Sequence, residues 1–90
     1  MKSVRVVVSG RVQGVWYRAW TEKEALARGL DGWVRNRSDG TVEAVFSGAD
    51  ADIDAMLAAC RTGPPLARVE DVVTAPCAAP ERGFAKRATV

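Results

Sequence analysis

Ninety residues, 48% hydrophobic and 27% charged, make one small domain with a single core, an ordinary soluble composition and room for one site. The 13 basic and 11 acidic residues leave a formal net charge of +2, scattered without the Lys/Arg block that grips a nucleic-acid backbone or an anionic membrane, so neither partner is expected. No histidine is present, which removes the commonest general base near neutral pH and the commonest transition-metal ligand.

The start, Met1-Lys2-Ser3-Val4-Arg5, lacks the apolar run of a secretory signal, and no stretch approaches ~18 uninterrupted apolar residues. A cytoplasmic protein is expected. The first strand runs from about Lys2 to Ser9, with Val4, Val6 and Val8 on one face and Arg5, Val7 and Ser9 on the other. A loop follows, Gly10 to Trp16, and then a helix from about Arg18 to Arg28. Its apolar stripe is weak: Ala25 pairs with Thr21, Leu26 with Leu30, and Arg28 interrupts. Gly29 is a natural end for it.

Gly32 to Arg37 and Thr41 to Gly48 alternate around Ser38-Asp39-Gly40, a strong hairpin signal because Asp-Gly supplies the backbone angles such turns need. Val34 and Asn36 share one face of this hairpin. Ala49-Asp50-Ala51-Asp52 opens a second helix with a capping Asp and an acidic first turn, and Ile53, Met56, Leu57 and Cys60 form its core stripe. Gly63-Pro64-Pro65 stops it. Arg68 to Thr74 reads as a strand, Ala75 to Gly83 as a loop, and Phe84 to Thr89 as a short last strand interrupted by Lys86 and Arg87. Cys60 and Cys77, far apart and without a CxxC spacing, are read as reduced thiols.

The order β-α-β-β-α-β with a fifth strand fits an α+β, ferredoxin-like split β-α-β sandwich: an antiparallel sheet of four to five strands with both helices on one face. Right-handed crossover sets the first strand beside the strand that follows the first helix, which brings the loop after Ser9 near Asn36.

That loop, Gly10-Arg11-Val12-Gln13-Gly14-Val15-Trp16-Tyr17-Arg18, suits an anion. Its glycines let atoms approach the backbone, the first N–H groups of the helix lack partners, and Arg18 adds a planar fork of donors. It is neither a P-loop nor a dinucleotide fingerprint, and taken alone it reads sooner as a tight strand-to-helix turn with a solvated Arg.

The stretch resembles the Gly-x-Val-Gln-Gly-Val-x-(Phe/Tyr)-Arg signature of acylphosphatases, and Gly32-Trp33-Val34-Arg35-Asn36-Arg37-Ser38-Asp39-Gly40-Thr41-Val42-Glu43 is similar to their second signature. Gly63-Pro64-Pro65-Leu66-Ala67-Arg68-Val69 resembles the segment after their second helix, so the likeness runs over nearly the whole chain, and residues 1–90 are expected to form a single domain. The resemblance implies metal-independent hydrolysis of acyl phosphates, small-molecule mixed anhydrides, to a carboxylate and inorganic phosphate, with no cofactor. It implies that backbone N–H groups of Val12, Gln13, Gly14, Val15, Trp16 and Tyr17 cradle the phosphate, that Arg18 binds it and that Asn36 holds the attacking water. A monomer is expected.

Three departures from the family pattern are Arg28 and Lys86, each at an apolar position, which count against stability and a regular last strand, and Arg37, where Thr is common and where a cation tunes affinity for an anionic substrate. The chemistry is self-consistent: neither Arg18 nor Asn36 can act as a base, so the site suits a leaving group that departs unprotonated, as a carboxylate does. Competing readings are a non-catalytic anion-binding regulatory module on the same fold, an RNA-binding sheet, and a domain serving a separate carbamoyl-transfer enzyme. The intact Arg18 and Asn36 argue against the first; against the second, Trp16, Tyr17 and Trp20 lie in the loop and first helix and not on a strand, and no Lys/Arg-Gly-Phe motif is present.

Overall fold

The computed structural model describes all 90 residues. Its elements are β1 (Lys2–Arg11), α1 (Tyr17–Ala27), β2 (Asp31–Asn36), β3 (Val42–Gly48), α2 (Asp50–Thr62), β4 (Arg68–Pro76) and β5 (Phe84–Lys86). The strands form one sheet in the order β4-β1-β3-β2-β5. Strand alternation turns Val6 and Val8 of β1, Val34 of β2 and Val42, Ala44 and Phe46 of β3 toward the helices. There they meet Ala25 of α1 and Ile53, Met56 and Cys60 of α2 in one core. Each of the larger side chains buried here contributes about 1.5–3 kcal/mol. No helix is long and apolar enough to cross a membrane.

Two expectations about the sheet need correction. It is mixed: β5 lies parallel to β2, from Gly32 opposite Phe84 to Val34 opposite Lys86, while all other pairs are antiparallel. Nor does β1 lie beside β2. The short turn at residues 38–40 obliges β3 to pair with β2, and β3 gives its other edge to β1, so every residue of β3 is buried. The loop after β1 therefore reaches Asn36 across the end of β3.

The last strand is shorter than expected, yet the chain continues along β2. The N–H of Arg87 donates to the Val34 carbonyl at 2.8 Å, and that of Val90 to the Asn36 carbonyl at 3.2 Å. β4 runs two residues past Thr74 to Pro76, and just beyond it the Cys77 N–H donates to the Ser3 carbonyl at 3.2 Å.

The helices also differ in detail from expectation. The buried face of α1 is Tyr17, Thr21 and Ala25, while Leu26 is 57% exposed and only Leu30 of the expected pair enters the core. Arg28 does not disturb the packing, because its guanidinium reaches back to the Glu24 carbonyl and carboxylate, both at 3.2 Å, and sets a cation at the helix C-terminus. The N–H groups of Gly29 and Leu30 close the helix onto the carbonyls of Leu26 and Ala25, a Schellman ending. In α2 the capping residue is Ala49, with no side-chain cap. Asp50 and Asp52 instead act from the first turn on the helix dipole.

Candidate active site

The loop that closes the site is aimed by a bulge. The β1–β4 register slips between Ser9 and Gly10, and Gly10 has φ 114°; a Cβ there would stand 2.2 Å from the Arg68 carbonyl oxygen, so only glycine fits. Val12 and Val15 then plug into the core, each almost fully buried. Between them Gln13 donates to the carbonyls of Arg37 and Thr41, which ties the loop to the β2–β3 turn.

Gly14 (φ 73°) and Trp16 (φ 68°, ψ 19°) both take the left-handed conformation. Glycine does so freely, but a Trp there is strained, and such strain concentrates at functional sites. Trp16 occupies the N-cap of α1 with no side-chain cap, and no acidic residue stands in the first turn. The first helical bond runs from the Trp20 N–H to the Trp16 carbonyl, 3.0 Å, which leaves the N–H groups of Tyr17, Arg18 and Ala19 without helical partners. None of the N–H groups from Val12 to Trp16 is spent on a backbone carbonyl either. The result is a run of free donors at the positive end of a helix.

Most residues of this run border a pocket of about 310 Å³, lined by Val12, Gly14, Trp16, Tyr17, Arg18, Ala19, Asn36 and Lys86. Six of the eight residues expected from the sequence line it. Gln13 and Val15 do not: the Gln13 side chain fastens the turn, and that of Val15 fills the core. Arg18 and Asn36, both half-buried, are brought to the same pocket. Arg37 is not: its guanidinium lies 3.6 Å from the Asp39 carboxylate, away from the lining.

Ala19 and Lys86 join the lining without having been expected there. The sequence signal for Lys86 is period-two alternation, because the face that carries Phe84 to the core carries residue 86 toward the helices as well.

Tyr17 anchors the start of α1. Its hydroxyl donates to the Cys60 carbonyl at 2.7 Å, its own carbonyl accepts from Thr21 Oγ1 at 2.8 Å, and its ring lies 5.3 Å from that of Trp20. Burial holds its phenol far above the usual range, so it has no acid–base role. Burial also pushes the Cys60 thiol up to about 11.

The two carboxylates nearest the hairpin are both committed elsewhere. Asp39 accepts from the Thr41 hydroxyl and N–H, which hold its carboxyl below the ordinary value. Glu43 points to the helix-free face of the sheet between Arg5 and Arg35, 2.5 and 2.7 Å away. Burial would raise its carboxyl, but hydrogen bonds and charge from Arg35 and Arg5 prevail and keep it low. The pocket therefore carries two cations, no carboxylate and no general base.

The chain is a ferredoxin-like α+β sandwich that brings a loop of free N–H groups, an Arg and an Asn to one basic pocket. Comparison with known proteins narrows the class. The family model described as Acylphosphatase matches residues 4–86. The acylphosphatase of Rhodospirillum rubrum is 58% identical over 88 residues, covering 97% of each chain. Crystal structures of acylphosphatases from Bacillus subtilis and Coxiella burnetii superpose with TM-scores of 0.91 at 35% and 36% identity, covering 97% and 96% of this chain and 99% and 92% of theirs. The chain belongs to the acylphosphatase family, a family of hydrolases.

Proposed function

We propose that the pocket hydrolyses acyl phosphates. The free N–H groups of residues 12–17 and the Arg18 guanidinium hold the phosphoryl group, and the Asn36 amide positions the attacking water. Water adds to phosphorus as the bond from phosphorus to the acyl oxygen breaks. The bonding pair leaves with the carboxylate, and a phosphoryl oxygen takes the proton of the water.

The observation that carries this reading is one pocket with free donors and an Arg but no base. A carboxylate leaves unprotonated, so positioning and charge stabilisation suffice, whereas a phosphate monoester would have to expel a poor alkoxide. The same chemistry asks for no metal or organic cofactor. We read the enzyme as a cytoplasmic monomer.

The test is hydrolysis of benzoyl phosphate at neutral pH with excess chelator, with a phosphate monoester as control. Turnover of the anhydride alone is expected. Arg18→Ala should lose phosphate affinity and rate, on the order of 10²–10³-fold in turnover, while Asn36→Ala should lose rate and keep phosphate affinity. Phosphate binding without turnover by the folded wild type would leave a regulatory anion-binding module instead. Equal loss of phosphate affinity in both variants would remove the water-holding role from Asn36.

A further inference from the structure

The pocket has one more cation than its phosphoryl group requires. Arg18 and the loop N–H groups already supply the charge and donors for a phosphate, yet Lys86 lines the same pocket from β5. No carboxylate lines it, and neither Arg18 nor Lys86 takes part in an ion pair. Of the other basic residues on the strands, Lys2 is paired with Asp54 and Arg5 and Arg35 with Glu43, while Arg11 and Arg68 are unpaired but do not line this pocket.

Lys86 reaches the pocket from the sheet and not from the loop. It lies on a different element from the loop, opposite Val34 and on the strand next to the one that carries Asn36. An Arg18 Nη1 stands 3.5 Å from the Arg87 carbonyl, which places the guanidinium against the chain just past Lys86. Trp16, 77% exposed, offers an apolar flank at the same mouth. An acyl phosphate seated with its phosphoryl group on Arg18 and the loop has its acyl body in this remaining space.

We propose that Lys86 is a specificity-determining residue that selects acyl phosphates whose acyl group bears its own anionic substituent. The inference rests on the acylphosphatase reading above. A flexible four-carbon stem with a compact ammonium suits such a role, since it can follow a carboxylate without imposing one bidentate geometry. Being exposed, Lys86 should tolerate replacement without loss of the fold.

The experiment compares kcat/KM for 4-carboxybenzoyl phosphate and benzoyl phosphate in the wild type, Lys86→Met and Lys86→Arg. The wild type is expected to prefer the carboxylated substrate by roughly fivefold, the scale of one partly exposed ion pair. This preference should fade as salt is raised. Lys86→Met should abolish it while leaving benzoyl phosphate within about twofold, as expected of a change confined to one exposed pair, and Lys86→Arg should retain it. A Met variant that slows both substrates equally would assign Lys86 to the phosphoryl group and overturn the proposal. So would a preference that survives in Lys86→Met, or a wild type that turns over both substrates without preference. A folded wild type that hydrolyses neither substrate would instead overturn the acylphosphatase reading, and this inference with it.

Discussion

The side-chain amide of Gln13 donates to two carbonyls at once, Arg37 at 2.8 Å and Thr41 at 2.9 Å. Arg37 directly follows Asn36, so one side chain fixes the loop that leads to Arg18 relative to the strand that ends in Asn36. β1 and β2 share no ladder, because β3 lies between them, and Gln13 supplies a direct link where the sheet has none.

Gln13→Leu should therefore reduce activity without touching substrate. Losing two partly buried hydrogen bonds costs about 1–3 kcal/mol, and a displacement near 1 Å between Arg18 and Asn36 is enough to lower turnover by up to ~10²-fold. Urea denaturation and benzoyl phosphate kinetics on the same preparation separate the two effects. Reduced stability with unchanged kcat would mean that Gln13 only braces the turn.

Tyr17 holds the other side of the site. The Cys60 carbonyl would ordinarily accept from the N–H four residues on, but that residue is Pro64, which has none; the Tyr17 hydroxyl takes its place. Tyr17→Phe keeps the ring and strands a buried acceptor, so the protein should lose about 1–3 kcal/mol. The urea midpoint checks this, and a change below ~0.5 kcal/mol would show that another donor reaches Cys60.

The parts of this fold written in local pattern were legible in the sequence, and those set by competition between strands were not. The loop from Gly10 to Arg18, the hairpin at Asp39-Gly40 and the α2 stripe of Ile53, Met56 and Cys60 each depend on neighbours a few residues apart. The insertion of β3 between β1 and β2 depends on which edge is free once the hairpin has formed, and no short window of sequence encodes that. Leu26 was misplaced for a related reason. Helical spacing alone did not fix how α1 is rotated on the sheet, and Tyr17, Thr21 and Ala25 are small or anchored enough to lie closest. Lys86 was legible as an oddity of the last strand, but its place in the pocket required the parallel pairing of β5 with β2.

On the helix-free face, Glu43 stands only 4% exposed between two guanidiniums, and its ionisation should govern acid stability. Its carboxyl is held below the ordinary value in the folded state. The unfolded chain therefore takes up a proton first as pH falls. The stabilisation from Glu43 is fully present above the unfolded value of about 4.3 and is lost as pH drops through the lower folded value. Glu43→Gln removes the charge but leaves Arg5 and Arg35 partly open to water, so the cost at pH 7 should be about 1–3 kcal/mol rather than that of a sealed ion pair. The gap between wild type and variant should then narrow steadily from about pH 5 toward pH 3, as the wild-type carboxylate is neutralised. Urea denaturation at pH 7, 5, 4 and 3 measures it, and a gap that stays constant over that range would mean that packing, not charge, keeps Glu43 in place.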